Sequence, residues 1–208
     1  MTDQPHALQD LAPPNRLADE TSCGAPATAG LRIVLATAGD AGLLAHMVHE
    51  LADFEKLSHE CTITPEAVRE HLLGPRRSAD ALIAWLGEEP VGYAVYYRTF
   101  STFVARPGVF LEDLFVRQDF RHHGIGRALL KEVGRIAHSV GAGRFEWTTL
   151  KWNSKARALY GAVGARGMDE WLLMRMDAAA LTRFTCDGAG KPHEGCRCRG
   201  EAHGHPNG

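Results

Sequence analysis

The sequence lacks the features that would tie it to a membrane or to nucleic acid. No apolar run approaches the roughly 20 residues that a helix needs to cross a bilayer. Charge of either sign is not in excess, because 25 acidic residues face 23 Lys and Arg, for a formal net charge of -2. Domains that bind nucleic acid are usually clearly basic. We therefore expect neither a membrane span nor a nucleic-acid partner.

Cysteine is scarce, with five among 208 residues. The odd number, and a start with acidic residues and prolines in place of a basic and then apolar stretch, argue against an exported, disulfide-bonded protein. We expect a cytoplasmic location. Near the end of the chain stand four residues of the types that bind zinc or copper, namely Cys196, Cys198, His203 and His205. Their spacing fits no zinc-finger pattern, so incidental ligands in a biased tail are the favoured interpretation and no metal requirement is expected.

The composition divides the chain into three segments. Residues 1–30 are rich in Pro, Ala and Gly without sustained periodicity, and they are predicted to be a disordered leader. Residues 185–208 are dominated by Gly, His, Cys and Arg, and are predicted to be a flexible tail. Residues 31–184 carry the periodic patterns of one α/β domain.

Within that domain, patterns of period 2 and period 3.6 alternate. Helices are expected after Asp40, from Pro65 to about Leu73, and over residues 124–140, 153–163 and 177–184. Strands are predicted for residues 31–35, 81–86, 91–97, 109–116, 144–150 and 171–176. Several neighbouring strands are joined by short turns, which favours a mixed sheet.

The clearest local motif stands between strand 109–116 and helix 124–140. It reads Arg121-His122-His123-Gly124-Ile125-Gly126. Glycines let successive N–H groups converge, and a new helix presents unsatisfied N–H groups and its positive dipole end. The motif therefore suits a phosphate or pyrophosphate, with an ordinary tight turn as the alternative. A dinucleotide fingerprint fits poorly, because the motif does not follow the first strand and lacks the third glycine.

Five separated blocks resemble the GNAT acetyltransferase superfamily, and within it the branch of the spermidine/spermine and thialysine N-acetyltransferases. They are residues 50–58, residues 91–97, residues 111–116, residues 116–117 with 121–130, and residues 152–153 with 159–160 and 164–165, within a resemblance that spans roughly residues 31–177. The resemblance implies the GNAT fold, with a mixed, mostly antiparallel central sheet of about six to seven strands flanked by helices. It also implies acetyl-CoA as co-substrate and a homodimer.

Carried over by position, the resemblance implies a role for individual residues. Tyr160 would protonate the departing CoA thiolate, and Glu112 would take the amine's proton, through water. Acetyl-CoA would be bound by Leu114, Val116, Arg121, His122, His123, Gly124, Ile125, Gly126, Arg127 and Asn153. The acceptor amine would be bound by Phe54, Glu55, Asp113, Glu170 and Trp171.

These residue types fit direct acetyl transfer to an amine. An amine arrives as an ammonium ion, and only its neutral form attacks a thioester, so a carboxylate is needed to take the proton. A tyrosine with a pKa of about 10 is a suitable proton donor to a thiolate. Without the resemblance, Glu112 and Asp113 also fit a solvated strand end, Tyr160 a core position, Asn153 a helix N-cap, and the two histidines an exposed loop.

The acceptor loop bears on which amine is acetylated. A polyamine needs several carboxylates, yet Ser101 stands where the polyamine-acetylating enzymes carry an aspartate, and Phe103 replaces a tryptophan. A small primary amine is therefore favoured, such as thialysine, a lysine- or ornithine-like amine, or a diamine. Spermidine or spermine, a protein or peptide amine, and a non-catalytic acyl-CoA sensor remain as alternatives.

Overall fold

A computed structural model describes residues 30–185, and its centre is a five-stranded sheet. The strands are β1 (Leu31–Leu35), β2 (Asp80–Leu86), β3 (Glu89–Ser101), β4 (Arg106–Val116) and β5 (Arg144–Trp147), in that spatial order. The first four pair antiparallel through short connections, and β5 runs parallel to β4. The α/β class with a mixed, mostly antiparallel sheet is thus confirmed.

Five helices accompany the sheet. They are α1 (Ala41–Glu55), α2 (Pro65–Ala67), which continues as a π-helical turn (Val68–Leu72), α3 (Ile125–Ser139), α4 (Ser154–Ala162) and α5 (Ala178–Thr185). The predicted start of α2 is confirmed, because Pro65 occupies the first turn and the Thr64 hydroxyl accepts a hydrogen bond from the Ala67 N–H at 3.2 Å. Lys56, with a φ of 63°, ends α1 in the left-handed conformation.

The core lies against α1 and α3. Leu44 and Met47 of α1 pack with Ile83, Tyr93 and other residues of the sheet in one buried cluster. Helix α3 supplies the crossover from β4 to the parallel β5, and its apolar stripe is buried at Ile125, Leu129, Leu130, Val133 and Ala137. This arrangement fixes the end of β4 and the start of α3, where the candidate site lies.

The chain divides into two compact units between Leu159 and Tyr160. In the second unit, Gly164 adopts a φ of 89° in the turn after α4. The Asp177 carboxylate accepts a hydrogen bond from the Ala180 N–H at 2.6 Å and so caps α5. Between these points, residues 168–177 have no regular secondary structure apart from a turn at 169–170.

The predicted sixth strand over residues 171–176 is therefore wrong, and the sheet has five strands, not six to seven. Alternating polarity predicts which side of a strand is apolar, but a strand also needs a neighbour that supplies hydrogen bonds. Among residues 30–185 no strand pairs with this segment. Strand β5 likewise ends at Trp147 and not at residue 150, as the sequence had predicted.

Two predicted segments fall almost wholly outside the described residues. They are the leader at 1–30 and the tail at 185–208, with Cys196, Cys198, His203 and His205. In the part of the chain that the structure describes, no helix is long and apolar enough to span a membrane.

Candidate active site

The site begins where β4 and β5 part. Their parallel pairing runs from Gly108 opposite Arg144 to Leu111 opposite Trp147 and then stops, whereas β4 continues to Val116. On its other side, β4 stays paired with β3 up to Val116. Among residues 30–185, therefore, no strand pairs with the second half of β4, which includes Leu114, along its β5 side. Backbone groups on that side are not used by pairing with β5, and the predicted contacts of Leu114 and Val116 with a cofactor stay predictions.

A β-bulge lies at the same place. Val95 of β3 is opposite Asp113 and Tyr96 is opposite Leu111, so Glu112 has no partner in the register. A bulge changes the direction of side chains and is common beside functional sites. Glu112 is exposed, whereas Asp113 is half-buried. Of the two adjacent carboxylates, Asp113 is thus the more enclosed.

Asp113 lies in an unusual electrostatic environment. Burial, the neighbouring Glu112 and Glu55 of α1 all raise its pKa, and a hydrogen bond from Tyr93 opposes them, with a resulting pKa of about 6. The Tyr93 hydroxyl donates to Asp113 Oδ2 at 3.2 Å. Burial also raises the pKa of Glu55. The charges of Glu112 and Glu55 therefore both act on Asp113 at this end of the sheet.

None of these three carboxylates forms a salt bridge with a cation among residues 30–185. Partly desolvated carboxylates are costly unless an opposite charge or hydrogen-bond donors compensate them. A cluster of this kind is suited to receive a positively charged ligand, and the ammonium group of an amine is such a ligand.

The predicted anion-binding loop follows β4. His122 and Gly124 adopt left-handed conformations, with φ of 67° and 80°. Alternation of left- and right-handed residues makes successive N–H groups converge into an anion-binding concavity. The helical hydrogen bonds then begin at Ala128, whose N–H donates to the Gly124 carbonyl at 2.9 Å. The N–H groups of Ile125, Gly126 and Arg127 precede that bond at the positive end of α3.

Gly126 faces little steric demand from the protein itself. A Cβ at this position would lie 3.6 Å from Val116 Cγ2 and 3.9 Å from Leu159 Cδ2, which are ordinary van der Waals contacts. The backbone also has no need of a left-handed glycine there. The packing therefore gives no reason for a glycine at this helix start, and the contact of Gly126 with a ligand stays a prediction.

Arg121 is anchored on two sides. Its Nε donates to the Val116 carbonyl at 2.8 Å, and its guanidinium lies 4.1 Å from the centre of the Phe54 ring. Burial lowers its pKa. The Phe54 ring also contacts Trp152, with centroids 5.7 Å apart. The predicted acceptor residue Phe54 thus joins the end of α1 to both the anion-binding loop and the segment before α4.

Arg117, to which sequence analysis gave no role, ties the loop to the rest of the sheet. It makes a salt bridge with Glu50 of α1 at 3.0 Å and another with Glu89 at 3.2 Å. It also donates to the Pro90 carbonyl at 2.8 Å. These bonds fix the end of β4 against α1 and the β2–β3 turn, and so they position the start of the loop.

Asn153 caps α4, as one interpretation of the sequence held. Its Oδ1 accepts a hydrogen bond from the Ala156 N–H at 3.2 Å. The side-chain amide nitrogen has no hydrogen-bond partner among residues 30–185. The capping role is compatible with a ligand contact, and that contact stays a prediction.

In the second unit, Tyr160 is half-buried on α4, and its carbonyl accepts hydrogen bonds from the N–H groups of Val163 and Ala165. Glu170 and Trp171 are exposed. His122, His123 and Arg127 of the first unit are exposed as well. The assigned roles of all these residues stay predictions.

Besides Arg117, the sequence analysis also missed Tyr93. It was interpreted only as part of an apolar strand, and it is fully buried. The available signal was the tyrosine itself, because a buried phenol normally finds a hydrogen-bond partner. Within residues 30–185, no group of three or more His, Cys, Asp or Glu side chains is placed to hold a metal ion.

Comparison with known proteins agrees with this geometry. Residues 45–165 match the Acetyltransferase (GNAT) family. A thialysine N-epsilon-acetyltransferase of Caenorhabditis elegans is 37% identical over 155 residues, which cover 73% of this chain and 95% of that protein. The L-ornithine N5-acetyltransferase NATA1 of Arabidopsis thaliana is 25% identical over 195 residues, which cover 72% and 86%.

Solved structures share the fold. An integron cassette protein from the mobile metagenome of V. cholerae superposes with a TM-score of 0.66 at 20% identity, over 76% of this chain and 99% of that one. At this identity, the likeness concerns the fold alone.

Proposed function

The chain belongs to the GNAT acetyltransferase family, and from this premise we propose that it acetylates the side-chain amine of a small amino acid such as thialysine, lysine or ornithine, or one end of a diamine. Members of this family transfer an acetyl group from acetyl-CoA, so the enzyme class is that of an N-acetyltransferase. The identity of the acceptor amine is inferred from the residues of the site.

The observation that carries the acceptor is the carboxylate cluster. Glu55 and Glu112 both raise the pKa of Asp113, and no cation among the described residues forms a salt bridge with any of the three. A bound ammonium ion would supply the missing positive charge. The relatives named above act on thialysine and on ornithine, both of which carry a primary amine on a short side chain.

Acetyl-CoA would lie along the free side of β4 and against the start of α3. Its pyrophosphate fits the N–H groups of the loop at 121–127, with the positive end of the helix behind them. Leu114 and Val116 would bind the pantetheine through their backbones, and Asn153 would add a contact from the start of α4. Arg121, held against Phe54, would contribute its charge from a fixed position.

The chemistry is direct transfer. The neutral amine attacks the thioester carbon, and Tyr160 gives a proton to the departing thiolate. One of the two adjacent carboxylates of β4, Glu112 or Asp113, takes the proton from the amine. The family resemblance favours Glu112. Glu55 and Phe54 would line the acceptor side, with Glu170 and Trp171 as further contacts.

A turnover screen tests the acceptor. Release of free CoA thiol is followed with thialysine, lysine, ornithine, putrescine, spermidine, spermine and a lysine-containing peptide. We expect the highest kcat/KM with the amino acids or the diamine, since Ser101 removes a carboxylate that a long polycation would use. A higher kcat/KM with spermine or with the peptide would refute the small-amine assignment.

We also propose that the protein is a homodimer. Five large apolar side chains between residues 171 and 176 are exposed, from 57% for Met176 to 84% for Leu172 and Met174. Five exposed apolar side chains within six residues, interrupted only by Arg175, mark an interaction site, and a second copy of the chain is the occupant we propose. Light scattering should give twice the chain mass for the wild type and a monomer for Leu172→Asp. A monomeric wild type would rule the dimer out. The cytoplasmic location stays a prediction.

A further inference from the structure

The two adjacent carboxylates of β4 differ in what surrounds them. Asp113 is half-buried beside Tyr93, whereas Glu112 is the exposed residue of the bulge. A group that receives a proton from the substrate needs a fixed position and an affinity for protons close to the working pH. The environment of each carboxylate therefore decides which of them suits the task.

Tyr93 fixes the orientation of Asp113. The tyrosine is fully buried, its ring contacts Phe115 with centroids 5.9 Å apart, and its hydroxyl reaches diagonally across the strands to Oδ2. No donor among residues 30–185 is bonded to Oδ1. Oδ2 of the carboxylate is thus held by the phenol, and Oδ1 accepts no hydrogen bond from the described residues.

We propose that Asp113, and not Glu112, takes the proton from the substrate's ammonium group at Oδ1, and that Tyr93 is a positioning residue that holds Oδ2 for this purpose. This inference rests on the proposed function, because it names the proton acceptor of that reaction.

The electrostatics support the assignment. A pKa of about 6 leaves Asp113 ionised at neutral pH yet far more ready to bind a proton than an ordinary aspartate. Burial and the charges of Asp113, Glu55 and Cys61 raise the pKa of Tyr93 well above its usual value. The phenol therefore remains a donor and does not compete as a base. The charged or titratable groups that act on Asp113 are Glu112 of β4, Glu55 of α1 and Tyr93 of β3.

The proton balance of the step is complete. The ammonium ion gives one proton to Asp113, and the neutral nitrogen then forms the C–N bond to the thioester carbon. As the C–S bond breaks, the nitrogen loses a second proton and the thiolate gains one, so that the amide and free CoA thiol result. Asp113 then releases its proton to water. The net products are the acetylated amine, CoA and one proton.

The test compares pH profiles of kcat at saturating acetyl-CoA and thialysine for four variants and the wild type. Loss of the Tyr93 hydroxyl removes the bond that favours the charged carboxylate, so Tyr93→Phe should move the acidic limb upward by about one pH unit. Tyr96→Phe is the matched control, because it removes a buried phenol from the same strand without touching Asp113. The same amine substrate is used with every variant, so a difference between two pH profiles arises from the enzyme and not from the titration of the substrate.

The carboxylate variants separate the two candidates. We expect Asp113→Asn to lower kcat by at least about 100-fold and to abolish the acidic limb, and Glu112→Gln to keep that limb with a smaller loss. An acidic limb that is unmoved in Tyr93→Phe, or one that disappears in Glu112→Gln but persists in Asp113→Asn, overturns the proposal.

A second readout does not depend on turnover. The aspartate carboxyl groups of the substrate-free protein can be titrated by carbon-13 NMR, and the signal of Asp113 is the one that is absent from Asp113→Asn. We expect its titration midpoint near pH 6 in the wild type and at a higher pH in Tyr93→Phe. An unchanged midpoint in Tyr93→Phe contradicts the positioning role. If the wild type acetylates no amine in the screen, the proposed function fails, and the assignment of the proton acceptor fails with it. The titration still decides whether the Tyr93 hydroxyl lowers the pKa of Asp113.

Discussion

Asp113 should destabilise the folded protein at neutral pH, and its removal should therefore stabilise it. The folded carboxyl has a pKa of about 6, against an ordinary value of 3.8. The difference of about two pH units corresponds to at most about 3 kcal/mol between the charged and neutral forms. Because water still reaches this half-buried group, a gain of about 1 to 3 kcal/mol is expected for Asp113→Asn at pH 8.

The sign of the pH dependence follows from the raised pKa. Below about pH 4 the carboxyl is protonated in both the folded and unfolded states, so the wild type and Asp113→Asn should differ little. Between about pH 4 and pH 6 the unfolded carboxyl loses its proton while the folded one retains it, so the rise in pH favours the unfolded wild type. The advantage of the variant should therefore grow between pH 4 and pH 7 and then level off.

Urea unfolding of both proteins at intervals between pH 4 and pH 8 measures this difference. Glu146→Gln is the control for the loss of one negative charge, since it neutralises an exposed carboxylate on β5. A constant difference for Asp113→Asn, or one that shrinks as the pH rises, would refute the reasoning.

Three further predictions concern the cofactor loop and the proton donor. Arg121→Ala should raise the KM for acetyl-CoA about tenfold, and by a larger factor than the KM for the amine. Arg121→Lys should have a KM for acetyl-CoA between those of the wild type and Arg121→Ala, because lysine keeps the charge but not the bonds to Val116 and Phe54. Steady-state kinetics with each substrate varied measure both KM values, and a larger effect on the KM for the amine would contradict the prediction. Gly126→Ala should leave Tm nearly unchanged, since the new Cβ meets only ordinary contacts, yet it should raise the KM for acetyl-CoA. Gly161→Ala is the control, because nothing lies within 4 Å of a Cβ at that position. Equal KM values for acetyl-CoA in the two variants would argue against ligand contact at Gly126. Tyr160→Phe should lower kcat about 100-fold or more with little change in acetyl-CoA binding; an unchanged kcat, measured by thiol release, would remove Tyr160 from the mechanism.

The sequence predicted most elements of the fold because their signals are local. The cap and proline before α2, the apolar stripe of α3 and the glycine at the loop each act within a few residues. The segment at 171–176 has an equally clear apolar pattern, but whether it forms a strand depends on a neighbouring edge, and that information is not local.

The candidate site was predicted less completely, for a similar reason. Sequence placed Glu112 and Asp113 side by side without deciding which one is enclosed. That depends on the bulge opposite Val95 and Tyr96, which arises from pairing between strands. The contacts of Arg121 with Phe54, and of Tyr93 with Asp113, also join residues far apart in the chain.

The central claim is that this acetyltransferase uses the carboxylate cluster to accept a small primary amine. Mass spectrometry of reactions with acetyl-CoA and an equimolar mixture of thialysine, ornithine, spermidine and a lysine-containing peptide tests it most directly. We expect the wild type to form first the product with one acetyl group on the side-chain nitrogen of thialysine or ornithine, and Asp113→Asn to form it at least about 100-fold more slowly. First acetylation of the peptide or of spermidine, or an undiminished rate in Asp113→Asn, would contradict it.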